Sequence, residues 1–292
     1  MRIKKEPNIF KYILSLVIAI SFILIIYINH NRNSTSQDLS TQKLKAELKQ
    51  DFNEYLSSST SQLNIGGFPN GLVTFINDDC DLSVWNKIKP IFEENNVPAC
   101  VAVTTNKLER NDYLSVDNLT YLQDEGWEII SGTVNHYHLN EHESSEVESE
   151  LRDSKETLTK LGFQCNNVVY PFGNVNDKII QLTKKYYSCG LTLDTGVNNV
   201  NRIPLNYYNL CRVTLGGTKY TIGTEYDTFD YYKNCIDYAK ETSSWLIFMI
   251  HSSDSEDYQI EDISKVVKYC TETDIPVVTV NEALSKTNEL PQ

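Results

Sequence analysis

From Gly71 onward the chain alternates short apolar runs with stretches whose apolar residues recur at helical spacing. The runs predict strands at Leu72–Ile76, Cys100–Thr104, Glu128–Ser131, Asn167–Tyr170, Cys189–Leu193, Leu210–Leu215, Trp245–Ile250 and Pro276–Val280. The intervening patterns predict helices over Ser83–Asn95, Asp117–Asp124, Ser145–Leu161, Val175–Tyr187, Thr228–Glu241 and Glu261–Thr273. Short strands separated by helices indicate βα units and a parallel sheet. Seven or eight such units point to a barrel, although their number leaves closure open.

The first part of the chain reads differently. Arg2, Lys4, Lys5 and Lys11 precede an apolar stretch from Tyr12 to Ile28 broken only by Ser15 and Ser21. Its length is at the lower end for a membrane-spanning helix. A cleaved signal peptide would need a shorter apolar core and a small-x-small site, and Asn29-His30-Asn31-Arg32-Asn33 is a poor one. An uncleaved signal anchor is the expectation. It gives a cytoplasmic tail at 1–11, a transmembrane helix at 12–28 and, since the basic residues come first, an extracytoplasmic domain. Residues 29–62 combine a polar linker with an amphipathic helix marked by Leu44, Leu48, Phe52 and Leu56. The catalytic domain is expected over 63–288.

Charge and cysteines narrow the function. A formal net charge of -13 disfavours nucleic acid and other polyanions but says nothing against uncharged glycans. The 7 cysteines contain no C-x-x-C pair, which argues against a thiolate zinc site. Buried free thiols acting as small apolar residues are expected.

The candidate chemistry lies at the predicted strand ends, where parallel α/β folds place their sites. Asp78-Asp79 follow the first strand. Two adjacent carboxylates repel each other unless a cation or hydrogen bonds compensate. A solvated turn aided by Asn77 and Asp81 is the plain alternative. Ser131-Gly132-Thr133-Val134-Asn135-His136 follows another strand, Tyr170-Pro171-Phe172-Gly173 a third, and Trp245–Ile250 ends in His251. This ordered series, over roughly residues 70–285, resembles the polysaccharide deacetylase family (the NodB-homology domain, carbohydrate esterase family four).

The resemblance implies a distorted parallel (β/α) barrel and a metal-dependent hydrolase acting on carbon–nitrogen bonds other than peptide bonds. Its substrate would be an acetylated polysaccharide of the cell wall or surface, with N-acetyl groups foremost. It makes Asp78 the general base, Asp79 and His136 ligands of a divalent metal, zinc foremost, and His251 the general acid. Tyr170, Pro171, Phe172 and Gly173 would shape a wall of the groove, with a backbone N–H as oxyanion donor. The chain also departs from the family. Gly132 stands where the first metal histidine is expected, and Cys80 where glycine is usual. The arginine that steadies the base is missing beside Tyr170, and Arg212 is the candidate to replace it; a purely structural ion pair is the alternative. Asp194 is a weaker candidate to orient His251. His138 is a possible replacement ligand, and His138 with His142 offers a shifted register. A two-ligand site binds zinc more weakly than three ligands do. A barrel that binds glycan without hydrolysing it therefore remains the competing reading.

Overall fold

In the computed structural model, which describes residues 67–193, 199–216, 224–253 and 257–287, seven strands form one parallel sheet. They are β1 (Leu72–Asn77), β2 (Cys100–Val103), β3 (Glu128–Ser131), β4 (Asn167–Val169), β5 (Cys189–Leu191), β6 (Val213–Leu215) and β7 (Trp245–Ile250). Their order is β5-β4-β3-β2-β1-β7-β6, so β1 lies inside the sheet between β2 and β7. β1 and β7 align over their full lengths, from Leu72 opposite Trp245 to Asn77 opposite Ile250. Every residue of both strands is buried. That is why they read as continuous apolar runs rather than as alternating ones: the sheet is covered on both faces.

The two faces divide the core. Val73, Phe75, Val101, Val103, Ile129, Leu246 and Phe248 point to the helices, where Phe75 stacks on Phe248 with ring centroids 5.4 Å apart. Leu72, Ile76, Cys100, Ala102, Ile130, Trp245 and Ile247 fill the inner face. The Trp245 indole N–H donates to Thr74 Oγ1 at 2.9 Å, so the largest inner side chain carries no unsatisfied donor. Each fully buried aliphatic or aromatic side chain contributes roughly 1.5–3 kcal/mol.

The segment from Tyr207 to Leu215 joins the two edges of the sheet. Gly190 N–H donates to Tyr207 O at 2.9 Å and Thr192 N–H to Leu210 O at 2.8 Å, while Val213–Leu215 pair with β7. The strand expected over Leu210–Leu215 is thus split between two partners, and the sheet curls on itself. The eighth expected strand, Pro276–Val280, is reduced to one bridge, Val73 to Val277. Proline has no N–H to extend the ladder, and a helix begins at Val280.

Helices α1 (Lys89–Asn95), α2 (Val116–Asp124), α3 (Ser144–Lys160), α4 (Asp177–Thr183), α5 (Phe229–Glu241) and α6 (Asp257–Glu272) cover the outer face, while α7 (Val280–Thr287) packs Val280 and Ala283 into the inner-face cluster. Their starts follow capping chemistry. Ser115 Oγ accepts from Asn118 N, Asn176 Oδ1 from Ile179 N and Thr228 Oγ1 from Tyr231 N. A wide π-helical turn at Val84–Ile88 precedes α1, so the single helix expected over Ser83–Asn95 changes winding midway. α4 ends four residues before the expected Tyr187, and α6 begins four residues before the expected Glu261.

The chain divides into two units, Met1–Ile65 and Gly66–Gln292. The expected membrane helix at 12–28 and amphipathic helix within 29–62 lie outside the described residues. Among the described residues no helix is long and apolar enough to cross a membrane. The thiols of Cys80, Cys100, Cys165, Cys189, Cys235 and Cys270 are free and buried.

At the N-terminal end of the strands sits a buried polar network. Glu128 accepts from Asn167 Nδ2 at 2.6 Å and from Asn281 N–H at 2.7 Å, which ties β3 to β4 and to the start of α7. Burial raises its pKa from 4.5 to about 7, against the opposing effect of those hydrogen bonds. The folded chain therefore holds this proton more tightly than the unfolded chain. The resulting stabilisation is complete below about 4.5 and is lost as pH rises through about 7. Over that interval the wild type should lose on the order of 3 kcal/mol relative to Glu128→Gln. Denaturant melts of both proteins at a series of pH values measure this; parallel curves would refute it.

Candidate active site

β1 ends at Asn77, whose amide donates to Cys100 O at 3.2 Å. The next N–H, of Asp78, donates to Ile250 O at 2.9 Å and keeps the acid beside the end of β7. Asp79 and Cys80 then take left-handed backbone angles, φ 69° and 49°, and turn the chain out of the sheet. Asp78 is 5% exposed and Arg212 is 1% exposed. Arg212 Nη1 lies 2.8 Å from Asp78 Oδ1 and 3.0 Å from Oδ2, and its Nε donates to Thr192 O at 2.9 Å. Arg212 sits in the crossing segment between the part bonded to β5 and the part bonded to β7, so its guanidinium is delivered to the end of β1. Two hydrogen bonds to a charged donor at these distances make this a tight buried ion pair.

Two histidines complete the cluster. His251 follows β7 directly, with Nε2 3.9 Å from Asp78 Oδ2 and 3.7 Å from Asp79 Oδ2. His136 lies in the loop after β3, with Nε2 3.5 Å from Asp79 Oδ1. Burial lowers the His136 pKa; Asp79 and Asp78 oppose this shift, and Lys107 and His251 add to it. The neutral imidazole this favours is the ligand form.

The His136 loop is strained and clamped. Thr133 and His136 both have positive φ, 66° and 61°. Such conformations cost energy in non-glycine residues and persist where neighbours enforce them. Here the enforcing group is Glu150 on α3. It accepts from Val134 N at 3.0 Å, Asn135 N at 2.8 Å and Asn135 Nδ2 at 2.5 Å. Thr133 Oγ1 accepts from His136 N at 3.2 Å.

Gly132 supplies no ligand, and a Cβ there would meet Val103 C at 3.2 Å and Thr104 N and Oγ1 at 3.3 Å. His138 does not reach into its place. Its ring stacks on Phe172 with centroids 3.7 Å apart, and Nδ1 pairs with Asn174 Nδ2 at 2.8 Å. His142 stacks on Tyr137 and pairs with Glu146, so the shifted register does not form a shared site with His138 either. Asp194 lies outside the described residues.

The third motif needs a correction. Tyr170 and Pro171, expected on the groove wall, are buried. The Tyr170 hydroxyl donates to Tyr208 O at 3.2 Å, and the ring packs so closely over Gly190 that any Cβ there would collide with it. Phe172 is the exposed member, at 52% and φ 57°, with the His136 ring 4.8 Å away. Tyr170 N–H is committed to Leu191 O and Gly173 N–H to Tyr170 O, which makes Phe172 N–H the motif's candidate oxyanion donor.

The residues present fit a divalent ion as a two-ligand site. Asp79 Oδ1 is a buried acceptor with no hydrogen bond, and His136 Nε2 faces it at 3.5 Å. Two ligands of one tetrahedral zinc stand roughly 3.3 Å apart, given zinc–ligand bonds of about 2 Å. Among the described residues, no group of three His, Cys, Asp or Glu side chains gathers for a metal. One further residue, absent from the sequence reading, reaches the same oxygen: Lys107 Nζ lies 3.6 Å from Asp79 Oδ1. Glu150 was also missed. Its signal was visible, an acid on the buried stripe Val147, Leu151, Ser154, Leu158 of α3. Lys107 sits in a short turn with no such pattern.

Comparison with known proteins bears on the family and the fold. Residues 67–193 match the sequence model of the polysaccharide deacetylase family. YxkH of Bacillus subtilis (strain 168), provisionally named a polysaccharide deacetylase, is 24% identical over 127 residues, 43% of this chain and 45% of the relative. The match therefore spans under half of that relative. Among solved structures, the Xyl-CE4 domain of a multidomain xylanase from the hindgut metagenome of Trinervitermes trinervoides aligns with a TM-score of 0.55 at 14% identity, covering 75% of this chain and 91% of that one. A peptidoglycan N-acetylglucosamine deacetylase, Bc1960, aligns with a TM-score of 0.52 at 15% identity, covering 74% and 89%. At these identities the two structures show a shared fold.

Removing Arg212 leaves the Asp78 charge buried and unpaired. Arg212→Ala should cost roughly 3–5 kcal/mol, and adding Asp78→Asn should recover much of it. Chemical denaturation of the single and double variants decides this; an additive double variant would mean the two groups do not act as a pair.

Proposed function

We propose that this divergent member of the polysaccharide deacetylase family is a hydrolase that removes acetyl groups, N-acetyl groups foremost, from a cell-wall or surface polysaccharide. The observation that carries the reading is the buried Arg212–Asp78 pair with His251 across from it, 3.9 Å from Asp78 Oδ2. A base and an acid on opposite sides of one small space are what amide hydrolysis requires.

Asp78, held in place by Arg212, takes a proton from the attacking water as the water oxygen bonds to the acyl carbon. Phe172 N–H supports the charge that develops on the acyl oxygen. As the carbon–nitrogen bond breaks, His251 gives a proton to the departing amine. The proton on Asp78 then returns to His251, which resets both groups. Asp79 and His136 would hold a divalent metal, zinc by donor type, and such an ion supplies Lewis-acid polarisation of the acyl carbonyl. Phe172, exposed beside His136 and His138, offers an aromatic face to a sugar ring.

The basic residues before the 12–28 stretch support placement as a single-pass membrane protein with this domain outside the cytoplasm. The acidic balance of the chain speaks against nucleic acid as a partner. Gly132 favours a second reading, in which the same groove binds glycan without hydrolysis.

Acetate release from N-acetylglucosamine oligomers, with zinc or cobalt added, separates the readings. The hydrolase reading expects turnover that falls by about 10²–10⁴ in Asp78→Asn with little change in KM. Glycan binding without acetate release, at every metal concentration, would establish the silent barrel instead.

A further inference from the structure

Asp79 Oδ1 faces two nitrogens of different character. His136 Nε2 stands at 3.5 Å and Lys107 Nζ at 3.6 Å. The oxygen is buried and makes no hydrogen bond. The lysine is not a stray surface chain. Its ammonium also lies over the Tyr113 ring, 5.1 Å from the centroid, so an aromatic face and a carboxylate hold it from two directions. The turn that carries it is tied to the loop that carries His136. Thr105 N–H donates to Thr133 O at 3.1 Å, Asn106 N–H to Val134 O at 3.0 Å, and Asn106 Nδ2 to Asn135 Oδ1 at 2.8 Å.

The position of Gly132 completes the picture. Gly132 N–H donates to Val103 O at 2.8 Å, and its missing side chain would point at Thr104. Those residues lead directly into the Thr105–Lys107 turn. The chain thus lacks a ligand beside the very segment that brings a positive charge to Asp79.

We propose that the Lys107 ammonium is the resident cation of Asp79, and that a divalent metal binds at Asp79 and His136 only by displacing it. An ammonium beside the oxygen repels a divalent ion bound there and weakens its hold, so the ion binds best once the ammonium has moved away. Lys107 is a quarter exposed, which gives it room to swing away toward solvent. The site is then a metal centre gated by its own lysine. This inference rests on the two-ligand metal reading above.

The test is calorimetric titration of zinc into the full-length chain and its variants, with thermal melts as a check on folding. Lys107→Met and Lys107→Gln should each bind zinc at least about tenfold more tightly than the wild type, from removal of the like charge. Lys107→Arg, which keeps the charge, should stay near the wild-type affinity, and Asp79→Asn should abolish binding. Equal affinity in the wild type, Lys107→Met and Lys107→Gln, lost in Asp79→Asn, overturns the role of Lys107 and leaves the metal reading intact. Weaker binding in Lys107→Met and Lys107→Gln overturns it as well. Absence of binding to all the proteins overturns both.

Discussion

The buried pair between Arg212 and Asp78 is the constraint on which the rest of the site depends. An arginine that is 1% exposed is tolerated only when its donors are used. Arg212 spends them on Asp78 and on Thr192 O. Those bonds connect the end of β1, the residue after β5 and the segment that crosses from β5 to β7. The same contacts that satisfy the guanidinium therefore hold the curl of the sheet and aim Asp78. Stability and the reading of Asp78 as a base draw on one interaction.

Around this pair, the loops at the C-terminal ends of the strands carry the unusual backbone. Asp79, Cys80, Thr133, His136 and Phe172 all have positive φ. None is glycine, and each lies in or next to the candidate site. Glu150 meets the amides of the His136 loop, and Tyr170 anchors the turn before Phe172 from inside the core. Rigid supports below and strained loops above are the expected division of labour in a parallel α/β fold.

The charge pattern is equally specific. Two adjacent acids are compensated by different cations: Asp78 by a buried guanidinium, Asp79 by a half-buried ammonium with two imidazoles near by. Asp78 is the enclosed, fixed group. Asp79 keeps an acceptor without a hydrogen bond and is the one able to exchange its partner.

The order of strands and helices was legible in the amino-acid sequence because it follows from short-range patterns. The buried strands β1 and β7 appear as mostly apolar runs, and the helices between strands appear as apolar residues at helical spacing. Asp78, Asp79, His136, Arg212 and His251 could likewise be picked out, since each ends or adjoins a run that becomes a strand. Which atoms meet was another matter. Arg212 and Asp78 are separated by 134 positions, and only the curl of the sheet brings the guanidinium to both carboxylate oxygens. Tyr170 read as a groove residue because its motif says nothing about Gly190, whose missing side chain leaves the room that buries the ring. His138 read as a spare ligand until its ring was found stacked on Phe172. Lys107 carried no signal at all. Local pattern determined where the strands end and which residue types stand there; tertiary packing decided which of them share a site, because those distances depend on sheet order, curl and loop strain that no short window contains.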